Sequence, residues 1–321
     1  MRLYFAPMEG VTDYIYRRIH HELFHGIDQY YTPFIATNQK GKLGARDEKG
    51  VLPEHNQGVP VIPQILSNHA DQFNETAVLL REMGYQEVNL NLGCPSGTVT
   101  AKGKGAGFLG RTEELNMFLD KIFEAAVLPI SVKTRIGVEH PDEFYRLLDL
   151  YNQYPIKELI IHPRVRTDFY KNKPNLFIFS EAVRLSKIPL CYNGDLFNTK
   201  EYESFHQEFN EITSVMIGRG LVCNPALAEC ISEKRDDMLT KERLHQFHEE
   251  LYQAYRNTLF GEKNVLFRIK ELWFYMIHLF TAHETYEKKI KKTQHLSEYE
   301  HIINSLFREQ ELVGQITKTT W

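Results

Sequence analysis

The stretch Val88-Asn89-Leu90-Asn91-Leu92-Gly93-Cys94-Pro95 joins a strand pattern to a turn that carries a cysteine. Apolar and polar residues alternate over its first five positions, which predicts a β-strand. Gly93 and Pro95 favour a turn directly after it, so we expect Cys94 at the carboxyl-terminal tip of the strand. A thiol in that position can be a nucleophile, a general acid or a metal ligand, and the surrounding sequence must distinguish these roles.

Short apolar or β-branched runs of the same kind recur along the chain and alternate with helical patterns. The predicted strands are 3–6, 29–32, 61–66, 87–92, 130–134, 158–162, 190–193 and 214–217. The predicted helices between them cover 13–24, 71–83, 113–126, 142–151 and 180–186, with Thr112 as the N-cap of the third. Eight strands that alternate with helices over about 220 residues indicate an α/β protein with a (β/α)8 TIM barrel. A doubly wound sheet is the alternative.

The strand pattern stops after about residue 238 and is replaced by helical periodicity over 241–260, 264–280 and 296–307. We therefore predict a catalytic barrel domain over 1–238 and a helical domain over 239–321. Residues 240–321 hold 12 Lys and Arg against 11 Asp and Glu, so this part is less acidic than the rest. The basic cluster Lys288-Lys289-Ile290-Lys291-Lys292 is either a solvated surface or a patch that contacts phosphates.

The composition is that of a soluble globular protein, with 25% charged and 42% hydrophobic residues among 321. No apolar run reaches the roughly 18 residues of a membrane span, and the first residues lack the pattern of a secretory signal. The four cysteines show no metal-ligand spacing, so we expect no metal and a reducing cytoplasm. The net charge of −4 does not indicate general affinity for nucleic acids, so any such binding needs a local patch.

Polar residues are concentrated where the predicted strands end, which is where barrels of this type place their chemistry. Seven of the eight strands carry candidates: Pro7, Met8 and Glu9; Gln64; Asn91 and Cys94; Lys133 and Arg135; His162 and Arg164; Asn193, Gly194 and Asp195; and Gly218 and Arg219. A lysine inside a central strand needs an anionic partner, and a Gly-Arg-Gly sequence after the last strand is typical of phosphate sites.

Each candidate alone also has an ordinary structural explanation. Cys94 could be a small buried hydrophobic residue, Gln64 a satisfied buried amide, and the segment 193–195 a tight turn. The segment 105–110 matches the pattern GxGxxG, but it does not directly follow a strand, so a dinucleotide site is not predicted there. The prediction of a site therefore depends on the coincidence of seven strand ends.

Six motifs together resemble the tRNA-dihydrouridine synthases, and they occur in the order of that family along the whole chain. They are residues 6–13 (APMEGVTD), 91–95 (NLGCP), 132–135 (VKTR), 162–164 (HPR), 193–195 (NGD) and 216–220 (MIGRG). The combination of Asn-Leu-Gly-Cys-Pro with the Lys-Thr-Arg strand is more specific than either alone. Pro163 stands where glycine is frequent in the family, and residues 165–168 are also atypical.

The resemblance implies an FMN enzyme that takes electrons from NADPH and reduces the C5–C6 double bond of specific uridines in tRNA. It implies that Cys94 is the general acid, and that Asn91, Arg135 and Arg164 bind the substrate. It assigns the cofactor to Pro7, Met8, Glu9, Gln64, Lys133, His162, Asn193, Gly194, Asp195, Gly218 and Arg219. We expect a cytoplasmic monomer with tRNA as its partner and without a membrane anchor.

Two other functions remain open at this point. An FMN barrel oxidoreductase for a small pyrimidine-like substrate shares the lysine and the phosphate loop, but it explains neither the Gly-Cys-Pro turn nor the helical region. A tRNA-binding protein without catalytic activity could retain the barrel as a scaffold, although Cys94, Lys133 and the phosphate loop are all present.

Overall fold

The β-strands are short and alternate with helices along the whole barrel region of this computed structural model, which describes residues 1–37, 42–314 and 316. The strands are β1 Arg2–Phe5, β2 Gln29–Tyr31, β3 Ile35–Ala36, β4 Val61–Ile62, β5 Gln64–Leu66, β6 Val88–Leu92, β7 Ile130–Arg135, β8 Leu159–His162, β9 Leu190–Tyr192 and β10 Ser214–Ile217. The helices up to residue 233 are α1 Tyr14–Leu23, α2 Ala45–Val51, α3 Ala70–Glu82, α4 Gly97–Thr100, α5 Thr112–Glu124, α6 Glu143–Tyr151, α7 Leu176–Leu185, α8 Thr199–Glu208, α9 Arg219–Cys223 and α10 Leu227–Glu233.

The ten strands form one closed parallel barrel of eight positions, because two of the positions are each split in two. β2 and β3 lie against β4 and β5, with Tyr30 opposite Val61 and Ile35 opposite Ile65. Each break contains a proline, Pro33 or Pro63, which lacks the N–H that a ladder needs. The circle closes because β1 pairs with both β10 and β2. The predicted (β/α)8 barrel is therefore confirmed, and the doubly wound alternative is wrong.

The barrel interior is layered, since successive side chains of a strand point to opposite faces. An apolar layer inside contains Tyr4, Tyr31, Ile62, Ile160, Cys191 and Met216. Two positions further along their strands, Ile62, Ile160 and Cys191 are followed by Gln64, His162 and Asn193. Because every second side chain of a strand points into the barrel, these polar residues form a layer above the apolar one, at the carboxyl ends of the strands.

Several predicted helix boundaries differ from the structure for local reasons. Thr112 is the first residue of α5 rather than its N-cap, which is Arg111. The predicted helix 264–280 ends at Met276, where a 3-10 turn takes over the chain. The predicted helix 180–186 starts earlier, at Leu176, because the Asn175 side chain accepts a hydrogen bond from the Ile178 N–H and caps it.

Four long helices follow the barrel: α11 Lys241–Thr258, α12 Glu262–Met276, α13 Glu284–Lys292 and α14 Leu296–Glu309. Phe247 of α11 packs edge-on against Tyr16 and His20 of α1. One hydrophobic cluster runs from the barrel into these helices, so a domain boundary at 238 and 239 stays a prediction. The basic cluster belongs to α13, a helix that was not predicted. None of the helices in the described ranges is long and apolar enough to cross a membrane.

Candidate active site

A cavity of about 550 Å³ opens at the carboxyl ends of the strands. That volume falls within the range of cofactor and substrate sites, roughly 300–1,000 Å³. Fourteen of the fifteen residues predicted from the strand ends line it: Pro7, Met8, Glu9, Gln64, Asn91, Cys94, Lys133, Arg135, His162, Asn193, Gly194, Asp195, Gly218 and Arg219. The strand-end pattern therefore converges on one site, while the role of each residue stays a prediction.

A chain of amides connects three strands beneath the cavity. The Gln64 Nε2 donates to Asn89 Oδ1 at 2.8 Å, and the Asn91 Nδ2 donates to Gln64 Oε1 at 2.6 Å. The Asn89 Nδ2 in turn donates to Ser131 Oγ at 2.9 Å. Because these amides satisfy one another, they hold the neighbouring strands in fixed register and leave Gln64 oriented at the cavity floor.

The Cys94 loop is fixed by side chains on both sides. The Asn91 Oδ1 accepts hydrogen bonds from the N–H groups of Gly93 and Cys94, each at 3.0 Å. Behind the loop, the Ala106 N–H donates to the Cys94 carbonyl at 3.0 Å. Gly105 has φ +56°, and a Cβ there would lie 2.8 Å from that carbonyl oxygen. Only glycine fits this position, so the segment 105–107 acts as a support for the cysteine.

Burial raises the pKa of the Cys94 thiol, and the nearby Glu9 carboxylate acts in the same direction. A hydrogen bond from the Ser96 backbone N–H, together with Arg135 and Lys133, opposes this shift only in part. A thiol with a raised pKa stays protonated near neutral pH, which suits a proton donor better than a nucleophile or a metal ligand. No cluster of three or more potential metal ligands occurs among the residues with described positions.

Lys133 is a half-buried cation on β7, and no carboxylate of a described residue acts on its pKa. Burial and, to a smaller extent, the charge of Arg135 lower the pKa of its ammonium to about 8. Of the described residues that act on this pKa, only the thiols Cys191 and Cys94 oppose the shift. An ammonium in this position requires an anion for full compensation, so the cavity around it is suited to a ligand with negative charge.

Asp195 bridges two arginines on the opposite side of the cavity. Its carboxylate accepts two hydrogen bonds from Arg164, at 3.0 and 2.5 Å, and a third from Arg219. The Arg164 Nη1 also donates to the His162 Nε2 at 2.8 Å, so the proton of this imidazole lies on Nδ1. Burial together with Arg135, Lys133, Arg164 and Arg219 holds the pKa of His162 well below its usual value.

Arg164 is the predicted site residue that does not line the cavity. It is completely buried, and its Nε donates to the Asn172 carbonyl while the rest of the guanidinium serves Asp195 and His162. A substrate would have to displace the Asp195 carboxylate in order to reach it. The role of Arg164 as a substrate ligand stays a prediction, and the contacts present support a role in positioning Asp195 and His162.

Arg135 lines the cavity, but its guanidinium is also engaged by the protein. It donates to the carbonyls of Gly93 at 3.1 Å, Val165 at 2.8 Å and Phe169 at 2.7 Å. These three bonds join the Cys94 loop to the loop after β8. A role in substrate binding stays a prediction, and the contacts present support a role in holding both loops.

Arg219 keeps one donor available for a ligand. Its guanidinium lies 4.8 Å from the ring centre of Tyr170, and one face is also covered by Phe197 at 5.6 Å. Its Nη1 is buried and has no hydrogen-bond partner among the residues that the structure describes. A buried unpaired donor next to Gly218 fits an anionic group of a bound molecule, such as a phosphate.

Ten further residues that sequence reasoning missed line the cavity: Ala6, Pro33, Phe34, Gly93, Pro95, Ser96, Phe169, Tyr170, Phe274 and Tyr275. Phe169 and Tyr170 follow the departures at 165–168 and are 48% and 45% exposed. Phe274 and Tyr275 come from α12, far from any strand end. In the sequence, the four aromatic residues Phe169, Tyr170, Phe274 and Tyr275 stand outside the predicted strands, so only their size and type could have indicated a site.

We compared the sequence with models of known protein families. A model of the family described as dihydrouridine synthase (Dus) matches residues 4–311. The chain belongs to the dihydrouridine synthase family. The match covers the barrel strands, the Cys94 loop and the four C-terminal helices, so the resemblance inferred from the six motifs is confirmed.

Curated relatives support the same assignment. A probable tRNA-dihydrouridine synthase of Staphylococcus aureus (strain COL) is 31% identical over 250 residues, which is 75% of this chain and 75% of that protein. A tRNA-dihydrouridine(16) synthase of Pseudomonas putida is 29% identical over 244 residues, covering 74% of this chain and 75% of that protein.

Solved structures support the barrel fold. The old yellow enzyme homologue from Zymomonas mobilis (NCR) aligns with a TM-score of 0.51 at 13% identity, over 73% of this chain and 88% of that one. A morphinone reductase mutant in complex with tetrahydroNAD gives a TM-score of 0.51 at 11% identity, over 73% of this chain and 86% of that one. At such low identity the likeness concerns the fold alone.

Proposed function

We propose that this member of the dihydrouridine synthase family binds FMN, takes electrons from NADPH, and reduces specific uridines of tRNA in the cytoplasm as a monomer. The observation that carries the proposal is the pairing of an uncompensated cation, Lys133, with a protonated thiol, Cys94, on adjacent strands at one cavity. Asn91 and Lys133 are direct neighbours in the β6–β7 ladder, and Cys94 follows Asn91 by three residues.

The residues present fit an FMN molecule at both of its ends. The free Nη1 of Arg219 and the glycines 194 and 218 provide a compact, positively charged end for the phosphate and ribityl chain. The amide of Gln64 and the ammonium of Lys133 face the position of the ring system, where the pyrimidine edge needs hydrogen-bond donors and a cation. Pro7, Met8 and Glu9 form the wall along the ring.

When bound, FMN would supply the hydride that adds to C6 of the uracil. Lys133 then stabilises negative charge at the edge of the cavity, because a cation in a dry site interacts strongly with a neighbouring anion. Gln64 and His162 orient the ligand through donors whose directions are fixed by Asn91 and Arg164. The protein residues thus bind the ligand, orient it and compensate its negative charge.

Cys94 donates the second hydrogen, as a proton to C5 of the uracil. Its raised pKa keeps the proton on sulfur until negative charge develops on the base, which is what a general acid requires. Asn91 and Gly105 hold the sulfur's loop in place during this step. Catalysis therefore depends on the fixed loop and on a thiol that stays neutral.

The tRNA must present its uridine outside the helical stack, because a base inside the stack cannot reach a group at the bottom of a cavity. Extrusion of a nucleotide costs a few kcal/mol, which contacts to the surrounding RNA must repay. The lysines of α13, Lys288, Lys289, Lys291 and Lys292, are suited to contact phosphates for this purpose.

A map of dihydrouridine in tRNA from cells with and without this gene tests the proposal. Loss of the modified base at one or a few positions on deletion, and its return on complementation, would support the function and name the target. An unchanged map in cells without a second synthase would contradict it. Reduction of free uracil by the purified protein without tRNA would instead support an oxidoreductase for a small pyrimidine.

A further inference from the structure

One side chain connects the cavity to the basic region of the helices. Phe274 of α12 lines the active-site cavity on one side. On the other side it lines a shallow groove between α12 and α13, together with Lys270, Trp273, Ile277, Glu287, Ile290 and Lys291. Phe274 is therefore shared by the active-site cavity and by the groove that contains Lys291 of α13.

A second exposed aromatic ring extends this surface. Phe267 lies two helical turns before Phe274 on α12, hence on the same face and about 10 Å further along the axis. Phe267 is 65% exposed and Phe274 is 44% exposed. Two large exposed rings on one helix face, next to a cavity, indicate a surface that another molecule covers.

Lysines stand beside these rings together with two carboxylates, Glu271 on α12 and Glu287 in the groove. The Lys270 Nζ donates to the carbonyls of Lys291, at 3.2 Å, and Thr293, which fixes the end of α13 against α12. Lys289, Lys291 and Lys292 occupy the last turn of α13, and Lys263 is exposed on α12. Aromatic rings interleaved with lysines are typical of surfaces that bind single-stranded nucleic acid.

We propose that the nucleotides flanking the target uridine leave the cavity across Phe274 and follow α12 towards Phe267, with their bases stacked on these rings. Their phosphates then lie beside the lysines at the end of α13. This inference rests on the proposed function, because it assigns the path of the tRNA substrate. Phenyl rings carry no hydrogen-bonding groups, so the path would accept any base and would position the RNA rather than read its sequence.

Substitution of Phe267 tests the path without touching the cavity. We expect Phe267→Ala in the flavin-loaded protein to weaken binding of a substrate tRNA about tenfold, and Phe267→Trp to retain it, because stacking on a ring is replaced in the second variant. The salt dependence of binding should stay unchanged, since no phosphate contact is lost. Phe177→Ala is the control, since Phe177 is 69% exposed on α7 and lines neither the cavity nor the groove.

The outcomes separate the inference from the function on which it rests. Equal affinities of Phe267→Ala, Phe177→Ala and the wild type, in a protein that still reduces tRNA, would overturn the path alone. A wild-type protein that neither binds nor reduces tRNA would overturn the proposed function and the path together. Weaker binding by Phe267→Ala, with unchanged flavin content and salt slope, and normal binding by Phe267→Trp would support the path.

Discussion

The two sides of the cavity differ in how their charges are balanced. On one side Asp195 accepts hydrogen bonds from Arg164 and Arg219, so the protein supplies its own anion. On the other side Lys133 has no carboxylate among the described residues that influence its pKa, and the thiol beside it stays neutral. The balanced side, where the Asp195 carboxylate compensates one of the two arginine charges, keeps the site in order and leaves the Nη1 of Arg219 for a phosphate. The unbalanced side leaves a charge for a ligand to neutralise, and this is where we place the reacting groups.

The largest effect should follow from removing the proton donor of the unbalanced side. Cys94→Ala should lower tRNA reduction by about 10²- to 10⁴-fold, because general acid catalysis contributes on that scale. Flavin content and NADPH oxidation should remain, which absorbance and steady-state assays measure. The control is Cys230→Ala, which removes a free thiol of α10 outside the cavity. Unchanged tRNA turnover in Cys94→Ala would remove this residue from the mechanism.

Breaking the balanced side should destabilise the fold. Asp195→Ala leaves two buried arginines without their carboxylate, which costs about 3–5 kcal/mol of the free energy of unfolding. Asp237→Ala is the matched control, because Asp237 pairs with Arg235 at the surface, where both are more than 60% exposed. We expect a much smaller loss there, because solvent screens an exposed ion pair. Equal losses in urea unfolding would show that Asp195 is not a structural anion.

Removing Lys133, the cation of the unbalanced side, should increase the stability of the fold instead of decreasing it. Lys133→Met should raise the free energy of unfolding of the flavin-free protein by about 1 kcal/mol, because an uncompensated half-buried charge is removed. Flavin binding should weaken about tenfold or more. Titration with FMN and urea unfolding of the same variant measure both effects. A variant that loses stability and keeps its flavin affinity would contradict the comparison.

The lowered pKa of Lys133 also predicts how the stability of the fold depends on pH. Its pKa in the folded protein is about 8, below the unfolded value of about 10.4, so the unfolded chain binds more protons between these limits. The stability of the wild type relative to Lys133→Met should therefore rise with pH across this window and be constant below it. Unfolding curves of the flavin-free proteins at pH 7 to 10 measure the difference.

The smallest effect concerns the distant lysines of α13. Replacing Lys288, Lys289, Lys291 and Lys292 by alanine should weaken tRNA binding and reduce the slope of log K against log salt by about 1 for each lysine that contacts a phosphate. Lys187→Ala is the control, because Lys187 lies before β9 at the opposite end of the barrel. An unchanged slope would mean that the cluster is only a solvated surface.

Patterns of neighbouring residues predicted most of the barrel and the contents of its mouth. The strand at 88–92 and the residues Asn91 and Cys94 follow from alternation and turn chemistry, which are local. The contacts of Arg164 could not be predicted in this way, because the sequence cannot show that Asp195, thirty-one positions later, occupies its guanidinium. Phe274 and Tyr275 were missed for the same reason: they reach the cavity through the packing of α12 on α9, which no local pattern encodes.

Phe274 and Tyr275 also affect when the site can exist. The last barrel strand ends at Ile217, and the two rings are made well after it during translation. At about 5–20 residues per second, the ribosome needs several seconds for this interval. A nascent chain that has closed its barrel therefore still lacks the outer wall of its cavity. The site becomes complete only when α12 has left the ribosome and packed against the barrel. Synthesis of the C-terminal helices therefore determines when the protein can first enclose a ligand.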